Sequence, residues 1–233
     1  MNLGLTHEEW GIVALSLKVS VVAVLLTLPP AYLLAWLLAR RRFPGRILLD
    51  ALVHLPLVLP PVVTGWVLLL LFGRNGPLGG WLEAQFGLTL VFRWTGAALA
   101  AAVMALPLMV RAMRLSIEAV DRRLVDAART LGARPWRAFL TITLPLSAPG
   151  IAAGAMLGFA RSLGEFGATI TFASNIAGQT RTLPLAIYSG LQLPGGEALV
   201  TRLSIVSVVL SVAALVISEL LVRRSGGSRA HVL

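Results

Sequence analysis

The stretch from Asp126 to Pro145, DAARTLGARPWRAFLTITLP, decides how this chain is built. It is basic and amphipathic, and it stands between two long apolar runs. Asp126, Ala127 and Ala128 lead it, Gly132 follows after three residues, Ile142 after nine more, and Leu144-Pro145 closes it. Gly132 is placed to end a helix and Pro135 to open the next, since glycine tolerates the left-handed turn at a helix end and proline suits a first turn. A helix–glycine–helix unit with small leading residues suits insertion into a groove of a partner protein. A basic helix lying on anionic headgroups is the competing reading, but it gives Gly132 no task.

Working outward, the chain has 233 residues, of which 57% are hydrophobic and 13% charged. Soluble domains carry about 25% charged residues. A helix needs roughly 20 apolar residues to cross a bilayer. Residues 11–38, 47–72, 94–114, 143–172 and 199–222 meet that length. The expectation is an all-α polytopic membrane protein with five spans and one domain over residues 1–233, with a cytoplasmic loop at about 115–142. Alternating ten-residue strands are absent, which argues against a β-barrel. The opening MNLGLTHEEW is acidic and lacks the basic region of a cleaved signal, so the first span is expected to be retained.

The net charge of +10 raises nucleic acid as a partner, but the positive residues sort by loop instead of forming one patch. Arg40, Arg41, Arg42 and Arg46 follow span one; Arg111, Arg114, Arg122, Arg123, Arg129, Arg134 and Arg137 surround the central loop; Arg223, Arg224 and Arg229 lie in the tail. The opposite side holds Arg74, Arg93, Arg181 and Arg202. Basic residues near span ends stay cytoplasmic. The N-terminus is therefore expected outside and the C-terminus inside, with a lipid bilayer and not nucleic acid as the surroundings.

Several spans are not plain anchors. Pro29-Pro30 interrupts the first, and Lys18 can reach the interface from it. Span two reads HLPLVLPPVVTG and carries Thr64; its prolines serve either a packing kink or a broken segment lining a path. Residues 73–93 are expected as an external loop. Span three is alanine-rich, which permits close helix approach. Span four repeats glycine at Gly150, Gly154 and Gly158, a face that suits either packing within the chain or a subunit interface. Further along it are Arg161, Ser162, Glu165, Thr169 and Thr171. Arg161 and Glu165, four apart, can pair. Charges at such depth are costly and mark either an interhelical ion pair or a pathway. Residues 173–198 are expected to be external, with a short surface helix around 182–192, and the tail from Arg223 to be poorly ordered.

The chemistry this chain lacks is equally telling. Lys18 is its one lysine and sits outside any phosphate-loop pattern, so the chain cannot supply a P-loop lysine to ATP phosphates. No HExxH or GxSxG occurs and there is no cysteine, which disfavours a membrane-embedded enzyme and thiolate metal sites. His7, His54 and His231 are far apart, so no metal is expected. A passive anchor subunit fits poorly with the prolines of span two and with Arg161 and Glu165.

The spacing from Asp126 to Pro145 resembles the EAA loop of ABC importer permeases, EAA-x3-G-x9-I-x-L-P, with Asp126 replacing the glutamate. Residues Ala160 to Gln192, the LPLVLPPVVTG of span two and the turn Phe43–Arg46 look similar to the molybdate-permease branch; sulfate permeases share a related span-four pattern. The resemblance implies a type I, methionine-importer-like fold in the bacterial inner membrane. It implies a homodimer, two ATP-binding cassette subunits carrying ATP and Mg, and an external molybdate-binding protein, with no cofactor in this chain. Asp126, Ala127, Ala128, Gly132, Ile142, Leu144 and Pro145 would then dock the ATPase. Thr64, Arg161, Ser162, Glu165, Thr169 and Thr171 are the candidate path for a molybdate or tungstate ion, or for sulfate in the neighbouring branch.

Overall fold

Thr6 and Glu9 start the first helix. The Thr6 hydroxyl accepts from the Glu9 amide at 3.2 Å, and the Glu9 carboxylate accepts from the Thr6 amide at 2.8 Å. This reciprocal cap satisfies two donors that a helix start leaves open. The helix α1 then runs from His7 to Arg40, straight through Pro29 and Pro30. This computed structural model describes residues 4–226; the end of the basic tail, 227–233, lies outside the described residues.

The elements that follow are α2 (Arg46–Val58), α3 (Pro61–Phe72), α4 (Pro77–Phe86), α5 (Trp94–Glu118), α6 (Arg122–Thr130), α7 (Pro135–Ala138), a π-helical turn (Phe139–Thr143), α8 (Leu144–Leu163), α9 (Gly167–Ala173), α10 (Leu183–Leu191) and α11 (Glu197–Gly226). Four helical segments are long and apolar enough to cross a membrane: His7–Arg40, Trp94–Glu118, Pro135–Leu163 and Glu197–Ile217. A fifth crossing exists only if α2 and α3 count together, and they are bent by 116°.

The break expected within residues 47–72 is thus located, and the expected span 143–172 is corrected. Residues 47–72 are not one straight span, because Pro60 and Pro61 stand at the bend and α2 and α3 have only 13 and 12 residues. Residues 143–172 are not one span either. The helix ends at Leu163, Gly164 caps it, and a separate seven-residue helix resumes at Gly167. The external loop is more ordered than expected, since α4 occupies ten of its residues. At the same end, the Lys18 ammonium lies 3.7 Å from the centre of the Trp94 ring.

The interior is built around α5. Ala97, Ala98, Ala101 and Ala102 are buried against Val19 and Ala23 of α1. Further along, Met109, Met113 and Ile117 join Ala31, Ala35 and Leu38. Small residues bring α1 and α5 close without bulky side chains between them, the usual mode of helix packing in lipid. The other flank of α5 receives α8. A Cβ on Gly150 would stand 2.1 Å from the Ser116 Cβ, and one on Gly158 would stand 2.5 Å from the Met109 sulfur. The face Gly150, Gly154, Gly158 is therefore taken up by packing within the chain. Tyr32 and Ser147 add a 2.8 Å hydroxyl contact between α1 and α8. By contrast α11 is sparsely covered, with Val208, Val209, Val212 and Leu215 exposed.

Candidate coupling surface and translocation elements

At the arginine-rich end, the Asp121 carboxylate caps α6 by accepting from the Arg123 amide at 2.9 Å. The helix closes over Gly132, whose φ is +89°. The Gly132 amide donates to the Arg129 carbonyl and the Ala133 amide to the Ala128 carbonyl, both at 3.0 Å. This six-to-one closure needs a left-handed residue, which explains the glycine. Pro135 then opens α7. No residue of α6 is buried, and Leu131 and Trp136 are 89% and 61% exposed. Asp126 and Ala127 lie exposed on this surface, and Ala128 is half-buried.

Ile142 is half-buried within the π-helical turn, and Leu144 and Pro145 begin α8. There the Leu144 amide reaches back five residues to the Phe139 carbonyl. A proline lacks a donor and crowds the carbonyl four residues before it. A π-type turn widens the helix at that point, so α7, the turn and α8 continue as one rod through Pro145.

At the other end of that rod, the Arg161 guanidinium meets the Glu165 carboxylate at 2.6 Å. Glu165 is 2% exposed and lies beyond the helix, in the break before α9. Its second oxygen accepts from the Ala168 amide at 2.8 Å. Glu165 therefore joins the end of α8 to the start of α9, which a continuous span would not have required. The bent pair α2–α3 seats on α9: a Cβ at Gly65 would lie 2.7 Å from the Ala168 carbonyl, and one at Gly167 would lie 2.8 Å from the Pro61 ring. Thr64, Thr169 and Thr171 are thus gathered at the α3–α9 contact, with Ser162 at the end of α8. The Thr64 and Ser162 hydroxyls are buried without a partner, whereas Thr171 donates to the Gly167 carbonyl at 2.9 Å. A cavity of about 420 Å³ is lined by Gly164, Phe166, Tyr188 and Ser207 among others, and the candidate path residues do not line it.

The residues missed by sequence reasoning are Glu9 and Arg202. Arg202 holds Glu9 through two nitrogens, at 3.0 and 2.6 Å, across 193 positions. Glu9 is 1% exposed, so this pair fastens the start of α1 to the start of α11. The legible signal was Thr6-His7-Glu8-Glu9, a capping-box pattern.

Four or five apolar crossings, an exposed helix–glycine–helix surface on a rod continuous with one of them, and broken helices packed on the far end of that rod define the membrane permease of a type I ABC importer. The fold agrees with the solved structure titled "Inward facing conformations of the MetNI methionine ABC transporter", with a TM-score of 0.67 over 93% of each chain at 16% identity. The chain belongs to the family "Binding-protein-dependent transport system inner membrane component", whose model matches residues 31–226. It is a multi-pass protein of the inner membrane. Over 221 residues it is 60% identical to the molybdenum transport system permease protein ModB of Escherichia coli K12, covering 95% of this chain and 96% of that one. The sulfate transport system permease protein CysT of the same organism is 46% identical over 160 residues, covering 69% and 57%.

Proposed function

We propose that this chain is the permease subunit of an ATP-driven importer of molybdate, with tungstate as a second substrate. The observation that carries the reading is the 60% identity across 95% of the chain to a molybdenum permease, set against 46% across 69% for a sulfate permease. The working unit is a homodimer with two ATP-binding cassette subunits and an external binding protein. ATP is bound and hydrolysed on the partner chain, consistent with the absence of a phosphate-loop lysine here.

The surface from Asp126 to Gly132 docks the ATPase, and Ile142, Leu144 and Pro145 keep it on one rod with α8. ATP favours one of two conformations of the assembly, and only that difference in affinity moves the permease. The path is lined by Thr64, Ser162 and Thr169 together with Arg161. Hydroxyls donate to an oxyanion without holding it tightly, and a path has to release what it binds. Glu165 neutralises Arg161 in part and keeps the site from becoming a trap.

Uptake of radiolabelled molybdate by proteoliposomes carrying the permease, its ATPase and the binding protein tests the reading. ATP-dependent uptake that tungstate competes away and sulfate leaves untouched is the expected result. Saturable sulfate uptake without molybdate uptake moves the chain to the sulfate branch.

A further inference from the structure

The arginines that follow α1 converge instead of fanning out. Arg40, Arg41, Arg42, Arg46 and Arg122 line one cavity of about 600 Å³ at the junction of α1, α2, α5 and α6. Arg40 is fixed there, donating to the Ile117 and Val120 carbonyls at 2.8 and 2.9 Å. Glu118, the one carboxylate on the wall, is held by Arg114 at 2.9 Å, and Arg114 also takes Asp50 at 3.1 Å. Among the described residues, none of the five lining arginines forms a salt bridge. Five arginines set against the single, already shared Glu118 leave an excess of positive charge that calls for an anion with several oxygens.

The wall next to it is apolar. Pro29, Tyr32, Leu33 and Trp36 of α1 face Trp136 and Phe139 across a groove of about 360 Å³ that Arg41 closes at its top. Arg41 lies 5.6 Å above the Trp36 ring. Positions 29, 32, 33 and 36 form one helical stripe that leads to Arg40. Pro29 to Arg40 spans about 16 Å at 1.5 Å per residue. One leaflet of hydrocarbon is about 15 Å deep, half of the roughly 30 Å core. Trp36 and Trp136 lie toward the arginine end of the groove, the arrangement expected where aromatic rings gather between tails and headgroups. A second copy of this chain, with its own net charge of +10, complements the cavity poorly.

We propose that this junction binds one anionic phospholipid of the cytoplasmic leaflet, with its phosphate among Arg40, Arg41, Arg42, Arg46 and Arg122 and an acyl chain along the Pro29–Trp36 stripe. The site goes beyond the transport reading and does not depend on the substrate. Because Arg122 opens α6, an occupied site ties the membrane to the base of the candidate docking helix.

The test is native mass spectrometry of the full-length permease in neutral detergent, with phosphatidylglycerol, phosphatidylcholine or inorganic phosphate added. Phosphatidylglycerol is retained in preference to phosphatidylcholine. Arg41→Gln/Arg42→Gln/Arg46→Gln lowers its retention on the order of 100-fold, a few-fold per arginine. Leu33→Trp fills the groove and weakens lipid retention while phosphate binding stays as it was. Equal retention of the two lipids, or of phosphatidylglycerol by parent and triple variant, overturns the proposal. Phosphate that displaces the lipid, with retention indifferent to Leu33→Trp, assigns the cavity to a free oxyanion and also overturns it. So does a disulfide between two copies through Leu33→Cys and Trp136→Cys. Should the glutamine variant fail to fold, Leu33→Trp and the ratio of the two lipids on the unaltered chain decide the matter.

Discussion

Gly132 separates two effects that a single substitution usually mixes. Its φ of +89° is unfavourable for a side chain, yet a Cβ there would find nothing of this chain within 4 Å. Alanine therefore introduces strain alone, about 1–2 kcal/mol, or a factor of 5–30 in an equilibrium. Asparagine and aspartate tolerate this region better than alanine does. If backbone strain were all that mattered, Gly132→Ala would be the most damaging of the three. If the glycine is pressed into a groove of the ATPase, the order reverses. Bulk adds about 1–3 kcal/mol and a buried, unpaired carboxylate roughly 3–5 kcal/mol. Gly132→Asp should then weaken ATPase binding on the order of 1,000-fold, with Gly132→Asn between it and Gly132→Ala. The assay is co-purification of the ATPase with each variant, followed by transport-coupled hydrolysis in proteoliposomes. Insertion and assembly of the permease are followed in parallel by size-exclusion chromatography. A Gly132→Asp permease that binds the ATPase and couples hydrolysis at the parental rate refutes the docking role. Damage greatest for alanine reduces the site to a helix cap.

Within the α5–α8 contact, Gly150→Ala should be the most harmful substitution, costing about 1–3 kcal/mol or more, because it meets the rigid Ser116 Cβ; Gly158→Ala, facing the flexible Met109, should be relieved by Met109→Ala. Thermal unfolding in detergent measures both, and a change of oligomeric state with unchanged melting would show the glycines facing another subunit instead. Arg161→Ala should lower uptake more than assembly, and adding Glu165→Gln should restore part of it, whereas Glu165→Ala should not, since it also loses the acceptor for the Ala168 amide. Normal uptake by Arg161→Ala would return the pair to a purely structural role. In this cysteine-free chain, Asn75→Cys should react with an impermeant thiol reagent from outside, and Arg134→Cys only after permeabilisation. Labelling of both from outside would reverse the topology.

The membrane class, the long first, third and last helices and the α6–Gly132–α7 unit were legible because each rests on local signals: apolar length, caps, and a glycine followed by a proline. The breaks were harder to place. Prolines announced trouble near Pro60, but the 116° bend is seated on α9, with Gly65 against Ala168 and Pro61 against Gly167. The end of α8 at Leu163 carried no proline to mark it. Arg161 and Glu165 were readable as a pair, but through the wrong geometry, since one lies on the helix and the other in the break. Glu9 and Arg202 escaped notice because contacts between residues 193 apart leave no periodic trace.

The rod from Pro135 to Leu163 has 29 residues, about 43 Å of helix. Gly132 turns the chain just before one of its ends, and Gly164 caps the other. It is gripped by α5 at Gly150, Gly154 and Gly158, from its middle onward. The arm on the docking side is about 22 Å long and the arm beyond Gly158 about 8 Å. Held mainly there, the rod would rock on an off-centre fulcrum. A swing at the α6 end would reach Arg161, about 4.5 Å beyond Gly158, reversed in direction and cut to roughly a fifth. A coarse movement at the α6 end would arrive at the α8–α9 break as a fine adjustment, with correspondingly greater force.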